Sequence, residues 1–268
     1  MNLIKKYKIT PDALLDQSFM LDKIFLKKIV DSCQIKPGET VLEIGAGMGT
    51  LTKELAKTGA SITAVEIDAR LQKALKHELR GTDVKIVQGN ALTYIRKNEF
   101  DKIVSNTPYA ICEPLVHSLT RMRFREAYLS VPKKFGYRLL ENQGIGMFVQ
   151  IFFDVEILFQ VPKNVFEPAP NVNTVFIRIK PKTKEYYKNN PGDFVLKELL
   201  LQKTKKLRNG LMEAIINKEA LLGNKITKKQ SKETIKNMNL NIKLLDQKIN
   251  SINLKGLADI NKHNKKSK

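Results

Sequence analysis

One stretch constrains this chain more than any other: Val41-Leu42-Glu43-Ile44-Gly45-Ala46-Gly47-Met48-Gly49-Thr50. An apolar run ends, glycines follow at alternate positions, and a helical pattern begins. Glycine lets a backbone turn tightly and come close to a ligand lying over strand ends. The spacing is G-x-G-x-G. A dinucleotide fold calls for G-x-G-x-x-G, and Thr50 holds that sixth place. The pattern therefore points to a nucleoside-type ligand with no pyrophosphate to seat on the helix N-terminus, as in S-adenosylmethionine. A purely structural tight turn is the alternative.

The surroundings favour the ligand. From about residue 40 to 180, β-rich runs at 41–44, 62–67, 84–87, 102–104 and 127–131 alternate with helical patterns near 50–58, 69–80, 111–122 and 133–140. Such alternation predicts right-handed crossovers and a mostly parallel sheet. Two longer runs follow, 155–161 and 172–180, with Pro162, Pro168 and Pro170 between them. No room for a helix remains, so they read as an antiparallel pair at the end of the sheet. The class is α/β, with the strand order of a Rossmann-like class I S-adenosylmethionine-dependent methyltransferase; a generic doubly wound sheet would look similar. Ahead of the first strand, 21–33 reads as a helix, with Ile24, Phe25, Ile29, Val30 and Cys33 inward and Lys23, Lys27 and Lys28 in water.

Charge divides the chain. Lys+Arg 47 against Asp+Glu 27 leaves +20, a field that attracts nucleic acid or, less often, an anionic membrane surface. Residues 1–180 carry 26 basic and 19 acidic side chains, whereas 181–268 carry 21 and 8, so the excess lies in the C-terminal part. A merely Lys-rich surface is the bland alternative. After Pro181 the alternation stops, and 194–201, 207–216 and 242–252 read as short helices separated by Gly210, Gly223-Asn224 and polar runs. The expected organisation is a methyltransferase domain over 1–181 and a small basic helical C-terminal domain over 182–268, with 261–268 a disordered tail. No stretch approaches the roughly 18–20 apolar residues of a membrane span, and the N-terminus has no apolar signal core. Cys33 and Cys112 form no disulfide framework, and His77, His117 and His263 show no ligand spacing. The expectation is a cytoplasmic protein with no metal and no membrane partner.

Three further strand ends carry chemistry. Glu66 closes the second run, where a carboxylate accepts both hydroxyls of a ribose diol; a solvated strand-end acid is the alternative. Gly89-Asn90-Ala91 follows the third run, where the Asn90 amide oxygen would accept from an exocyclic amine and its NH₂ would donate to a ring nitrogen of adenine. An ordinary Gly-Asn turn reads equally well there. The fourth run enters Asn106-Thr107-Pro108-Tyr109. Pro108 keeps Thr107 extended, so the Thr107 carbonyl projects into a site. Asn106 offers an amide oxygen beside it, and Tyr109 a flat face. Two acceptors and a stacking ring suit a planar aromatic amine. Drawing its hydrogens out of plane frees the nitrogen lone pair, and the positively charged methylated amine loses a proton to water without a strong base. A structural Asn-x-Pro turn is the alternative.

At this point the sequence resembles the ribosomal RNA adenine N6-dimethyltransferases, more the small-subunit kind than the erythromycin-resistance kind. The matching residues are Gln17-Ser18-Phe19-Met20, the 43–52 segment, Val65-Glu66-Ile67-Asp68, Asn106-Thr107-Pro108-Tyr109, and Phe166-Glu167-Pro168-Ala169-Pro170-Asn171-Val172-Asn173-Thr174. Lys205-Lys206-Leu207-Arg208-Asn209 resembles the family's first C-terminal basic helix. The resemblance implies S-adenosylmethionine bound by Gln17, Ser18, Met20, Gly45, Gly47, Glu66, Asn90 and Asn106, catalysis at Asn106, Pro108 and Tyr109, and the target base bracketed by Tyr109 and Phe166. It implies two adjacent adenosines of small-subunit rRNA, in a pre-ribosomal particle, as substrate of a monomer, with Lys205, Lys206 and Arg208 on RNA phosphates. Asp16, Ser18, Asn90 and Thr107 depart from the family's usual Gly, Asn or His, Asp, and Leu or Ile. Two other classes stay open: a ribosome-assembly factor with little turnover, and a methyltransferase for another RNA, DNA or protein amine.

Overall fold

Apolar and β-branched runs bounded by turn residues form the strands of the protein, seen in a computed structural model that describes residues 3–95 and 98–264. They are β1 (Phe19–Met20), β2 (Thr40–Ile44), β3 (Ser61–Glu66), β4 (Lys85–Gln88), β5 (Lys102–Asn106), β6 (Glu126–Pro132), β7 (Phe153–Val161), β8 (Phe166–Glu167) and β9 (Thr174–Pro181). Among the described residues one sheet has seven strands in the order β4-β3-β2-β5-β6-β9-β7. The pairs β2–β3, β3–β4, β2–β5 and β5–β6 are parallel, and β9 runs antiparallel to β6. The two Pro-flanked runs thus lie side by side at one end. The chain moves outward from β2 through β3 to β4, then restarts on the other side at β5. That reversal opens a crevice at the carboxyl ends of β2 and β5, where ligands bind in open α/β sheets.

Central strands are buried at successive positions, as in Val41–Ile44 and Ala127–Val131, so both faces are covered. Helix Lys23–Ser32 and helix Thr50–Ala56 send Leu26, Ile29, Val30, Leu51 and Leu55 into one cluster with Val41, Ile62, Val104, Tyr128 and Phe176. Ile24, expected in that stripe, is 85 % exposed, and Leu26 takes its place. Residues 26, 29, 30 and 33 share one helical face, and Ile24 lies on the other side of the turn.

The chain divides into two compact units, one up to Leu140 together with Asp154–Pro181, the other Glu141–Phe153 together with the chain from Lys182 on. Helix Gly144–Phe152 therefore groups with the C-terminal unit, not with the segment before 181. There the Tyr187 hydroxyl donates to the Ile151 carbonyl at 2.8 Å and Lys182 N–H to the Phe152 carbonyl at 2.9 Å. The other helices of this unit are Lys184–Asn189, Pro191–Leu201, Leu207–Leu221, Lys228–Asn237, Ile242–Leu245 and Leu254–Asn264. Gly210 separates nothing: it lies inside Leu207–Leu221, where a Cβ would come within 2.6 Å of Ile249 and 3.1 Å of Leu199. It is a point of close approach. The single helix expected over 242–252 is broken, because Leu207 N–H and Ile249 N–H bond across to Gln247 and Lys205 carbonyls in an extended pairing. Of the expected tail, residues up to Asn264 continue a helix, and 265–268 lie outside the described residues. No helix among the described residues is long and apolar enough to cross a membrane.

Candidate active site

The glycine turn leaves β2 with Gly45, Gly47 and Gly49 all left-handed, at φ 71°, 57° and 86°. Only glycine adopts this conformation freely. A Cβ on Gly47 would stand 3.3 Å from the Phe19 ring, and one on Gly45 3.4 Å from Pro108. The loop is therefore held between the β1 segment and the turn after β5.

Glu66 is buried at the end of β3 and organises the neighbouring loops. One carboxylate oxygen accepts Gly47 N–H at 2.7 Å, the other Asp68 N–H at 2.8 Å. Burial raises its pKa above the usual carboxylate range, and backbone donors, Asp68 and Gly47 foremost, pull it back. Each oxygen keeps a second lone pair. Asp68 is held down to about 2 by the Arg70 guanidinium, with Gln17 adding a bond. Gln17 Nε2 donates to Asp68 at 2.7 Å while its Oε1 accepts Asp12 N–H at 2.9 Å. Both ends of that amide are thus committed to fixing the N-terminal segment against the β3 end.

Asn106 ends β5, and its Nδ2 donates to the Ser18 carbonyl at 3.0 Å. With the nitrogen committed, the oxygen is the atom left to accept. Ser18 Oγ in turn donates to the Pro168 carbonyl. β1 and β8 pair antiparallel, Met20 opposite Phe166, so residues 17–20 and 166–168, distant in sequence, form one ribbon beside Asn106. The Tyr109 hydroxyl bonds to Thr174 Oγ1 of β9, which pins the ring; burial raises that hydroxyl's pKa. Thr107 Oγ1 and Ser130 Oγ are buried without a hydrogen-bond partner among the described residues.

One cleft joins these groups. Its lining includes Gln17, Ser18, Gly45, Gly47, Glu66, Asn90, Asn106, Thr107, Pro108, Tyr109 and Phe166. It encloses about 1040 Å³, open mouth included. Two expectations change. Met20 is 2 % exposed and packs in the core with Leu26 and Phe176, so it supports the ribbon without facing the cleft. The Asn90 oxygen caps helix Ala91–Tyr94 by accepting Leu92 N–H at 2.8 Å, which directs its NH₂, more than its oxygen, to a ligand. Phe166 both lines the cleft and belongs to the core. Phe19 and Ile67, inside the matched motifs, are apolar walls of the same cleft, and Leu71 is a wall the motifs did not include; Asp16, a departure from the family's glycine, accepts Ala110 N–H at 2.8 Å. Asp16 has φ 50°, which explains why a glycine suits that position and marks the signal that was available.

In the C-terminal unit Lys205, Lys206 and Arg208 are close together but each is ion-paired: Lys205 with Glu213 at 2.6 Å, Lys206 and Arg208 with Asp246 at 3.3 and 2.7 Å. No group of three metal-ligating side chains occurs among the described residues.

A profile of the family described as ribosomal RNA adenine dimethylase matches residues 13–248. A probable ribosomal RNA small subunit methyltransferase A of Thermococcus sibiricus is 36 % identical over 190 residues, covering 69 % of each chain. The ribosomal RNA small subunit methyltransferase A of Moorella thermoacetica is 32 % identical over 266 residues, covering 87 % of this chain and 91 % of its own. Among solved structures, a dimethyladenosine transferase of Plasmodium falciparum superposes with a TM-score of 0.59 at 24 % identity, covering 92 % of this chain and 98 % of its own, a likeness of fold.

Proposed function

The chain belongs to the ribosomal RNA adenine dimethylase family, and from that membership we propose that its strand-end cleft carries out the transfer. The protein is an rRNA adenine dimethyltransferase. The finer reading is that it dimethylates N6 of two adjacent adenosines of small-subunit rRNA in a pre-ribosomal particle, acting as a monomer in the cytoplasm. One observation carries it: a single cleft has Glu66 and the glycine turn on its wall together with Asn106, Thr107 and Tyr109.

The residues present fit S-adenosylmethionine. The left-handed Gly45 and Gly47 line the cleft and bring backbone, without side chains, to its wall. Glu66 has two lone pairs to spare for a ribose diol. Ile67 and Leu71 give apolar walls, and Asn90 an NH₂ with no partner among the described residues, at the adenine end. When bound, the donor supplies an electrophilic methyl group on a sulfonium.

Asn106 and the Thr107 carbonyl then act on the target amine. A purine N6 is a poor nucleophile because its lone pair is delocalised into the ring. The Asn106 oxygen, oriented by Ser18, and the Thr107 carbonyl accept its two N–H bonds and draw the hydrogens out of plane. Tyr109 stacks on the base and compensates for its removal from the RNA stack, with Phe166 behind. Positioning supplies most of the rate when two bound reactants need only alignment. One of the two acceptors serves a second transfer, because the monomethylated amine keeps one N–H.

Mass spectrometry of small-subunit RNA after incubation with the protein and isotope-labelled donor tests the reading. N6,N6-dimethyladenosine at two adjacent positions is expected. Label at a different base, or none, would overturn it.

A further inference from the structure

The C-terminal unit has a concavity of its own, walled by helices Lys184–Asn189, Pro191–Leu201 and Leu207–Leu221. Lys182, Lys184, Tyr187, Phe194, Lys197 and Asn217 line it. Lys197 lies against two of its rings. The ammonium lies 4.5 Å from the centroid of the Tyr187 ring and 5.7 Å from that of Phe194. It makes no hydrogen bond or ion pair with any described residue. Burial lowers its pKa below that of an ordinary lysine, with the neighbouring Glu198 opposing. Glu198 is itself bonded by Asn217 Nδ2 at 2.6 Å. Lys184 is exposed at the rim and likewise unpaired among the described residues.

A half-buried cation without an anion is unfavourable. The ring quadrupole and the field of Glu198 offset part of that cost, but neither gives the ammonium a contacting anion. An entering anion would compensate it. The contrast with Lys205, Lys206 and Arg208 is informative: those cations already have carboxylate partners, and Lys197 does not. The walls also matter. Aromatic and aliphatic side chains around a recessed cation suit an unpaired nucleotide, whose phosphate reaches inward and whose base rests on a ring. Duplex RNA keeps its bases stacked inside and presents its backbone on a convex surface.

We propose that this cleft binds a phosphodiester of unpaired RNA, with Lys197 and Lys184 on the phosphate and the adjoining base against the Phe194 wall. The proposal rests on the reading of RNA as the substrate and adds a second, non-catalytic grip on it.

The test uses the full chain and two probes, a fluorescein-labelled oligouridylate and a labelled RNA hairpin of comparable charge, with anisotropy followed as salt is raised. Lys197→Met keeps the stem over the rings and removes the charge; Lys184→Gln removes the rim charge. Each should lower the log–log salt slope for the single strand by about 0.7, Lys197→Arg should restore it, and the hairpin slope should stay unchanged. An unchanged single-strand slope, an equal loss on the hairpin, or Lys197-dependent binding to phosphatidylglycerol vesicles in place of RNA would overturn the proposal. If Lys197→Met fails to fold, photocrosslinking of a 4-thiouridine oligomer to the wild-type chain decides: adducts on 184–197 support the cleft, adducts confined elsewhere overturn it. Methylation of small-subunit RNA by the same preparation separates the two readings. Methylation with an unchanged slope removes only the cleft, and a slope that falls without methylation removes only the catalytic reading.

Discussion

Single residues at the cleft serve the fold and the ligand together, so substitutions must be chosen to separate the two. Glu66→Ala would orphan Gly47 N–H and Asp68 N–H as well as remove a ribose acceptor. Glu66→Gln keeps one acceptor and turns the other atom into a donor facing a donor. Losing a charged acceptor costs roughly 1.5–3 kcal/mol, so calorimetry should find donor affinity at least tenfold weaker and RNA affinity nearly unchanged; equal donor affinity would rule out the ribose contact. Asn106→Ala should bind both substrates and lose most turnover, because its oxygen acts on the amine in the transition state. Tyr109→Phe should keep most activity, losing only the bond to Thr174, whereas Tyr109→Ala should lose turnover with the stacking face. Thr107 tests a different point. Its hydroxyl is buried and unpartnered, and its proposed role uses the carbonyl. Thr107→Val replaces the hydroxyl with a methyl of similar size, and should raise stability by about 1 kcal/mol in chemical denaturation without loss of turnover. Glu66 and Asn106 could be read from the sequence because each closes an apolar run, and Tyr109 because it ends the Asn-x-Pro-Tyr turn that follows. Asp16 could be read only as a departure from the family's glycine; its bond to Ala110, 94 positions away, is set by the fold.

At the scale of elements, alternating strands and helices were legible because burial on both faces leaves long apolar runs. Pairing between remote two-residue strands was not. β1 and β8 are too short to show a period, and only their register makes 17–20 and 166–168 one ribbon. Helix Gly144–Phe152 was hidden for another reason: it is apolar on most sides, with six of its residues buried, so no polar face marks its period. Strand β2 carries a consequence of this burial. Glu43 points into the interior, where burial pushes its pKa up to about 8, with Thr52 opposing and Glu66 adding to the rise. An unfolded glutamate titrates near 4.3. The folded state therefore holds the proton that the unfolded state releases, and stability is fully present below about pH 4 and falls as pH rises toward 8. Glu43→Gln removes the titration. Its melting temperature should be flatter across that window than the wild type's and higher by several degrees at the alkaline end. Parallel pH profiles for the two proteins would mean that Glu43 is ionised in the fold without penalty.

For the whole molecule, the formal charge of +20 overstates what a polyanion meets, because part of it is cancelled locally. Asp246 pairs with both Lys206 and Arg208, and all three side chains are about half exposed. Exposed pairs of this kind add only about 0–1 kcal/mol to stability, so their loss should leave the melting temperature nearly unchanged. Their effect on RNA is larger in principle. A phosphate approaching Lys206 or Arg208 must displace the Asp246 carboxylate, and that carboxylate also repels it. Asp246→Asn removes the repulsion and keeps the side-chain shape. If these cations hold phosphates, the variant should bind small-subunit RNA more tightly, with a log–log salt slope steeper by up to about 0.9 for each duplex phosphate newly neutralised. Lys206→Gln in the Asp246→Asn background should then reverse most of the tightening, which ties it to that cation and not to net charge. Glu233→Gln gives the control: it removes one negative charge from an exposed position on helix Lys228–Asn237 of the same unit. Equal tightening by Glu233→Gln would mean that RNA responds to the overall field, and that Lys206 and Arg208 hold no phosphate of their own.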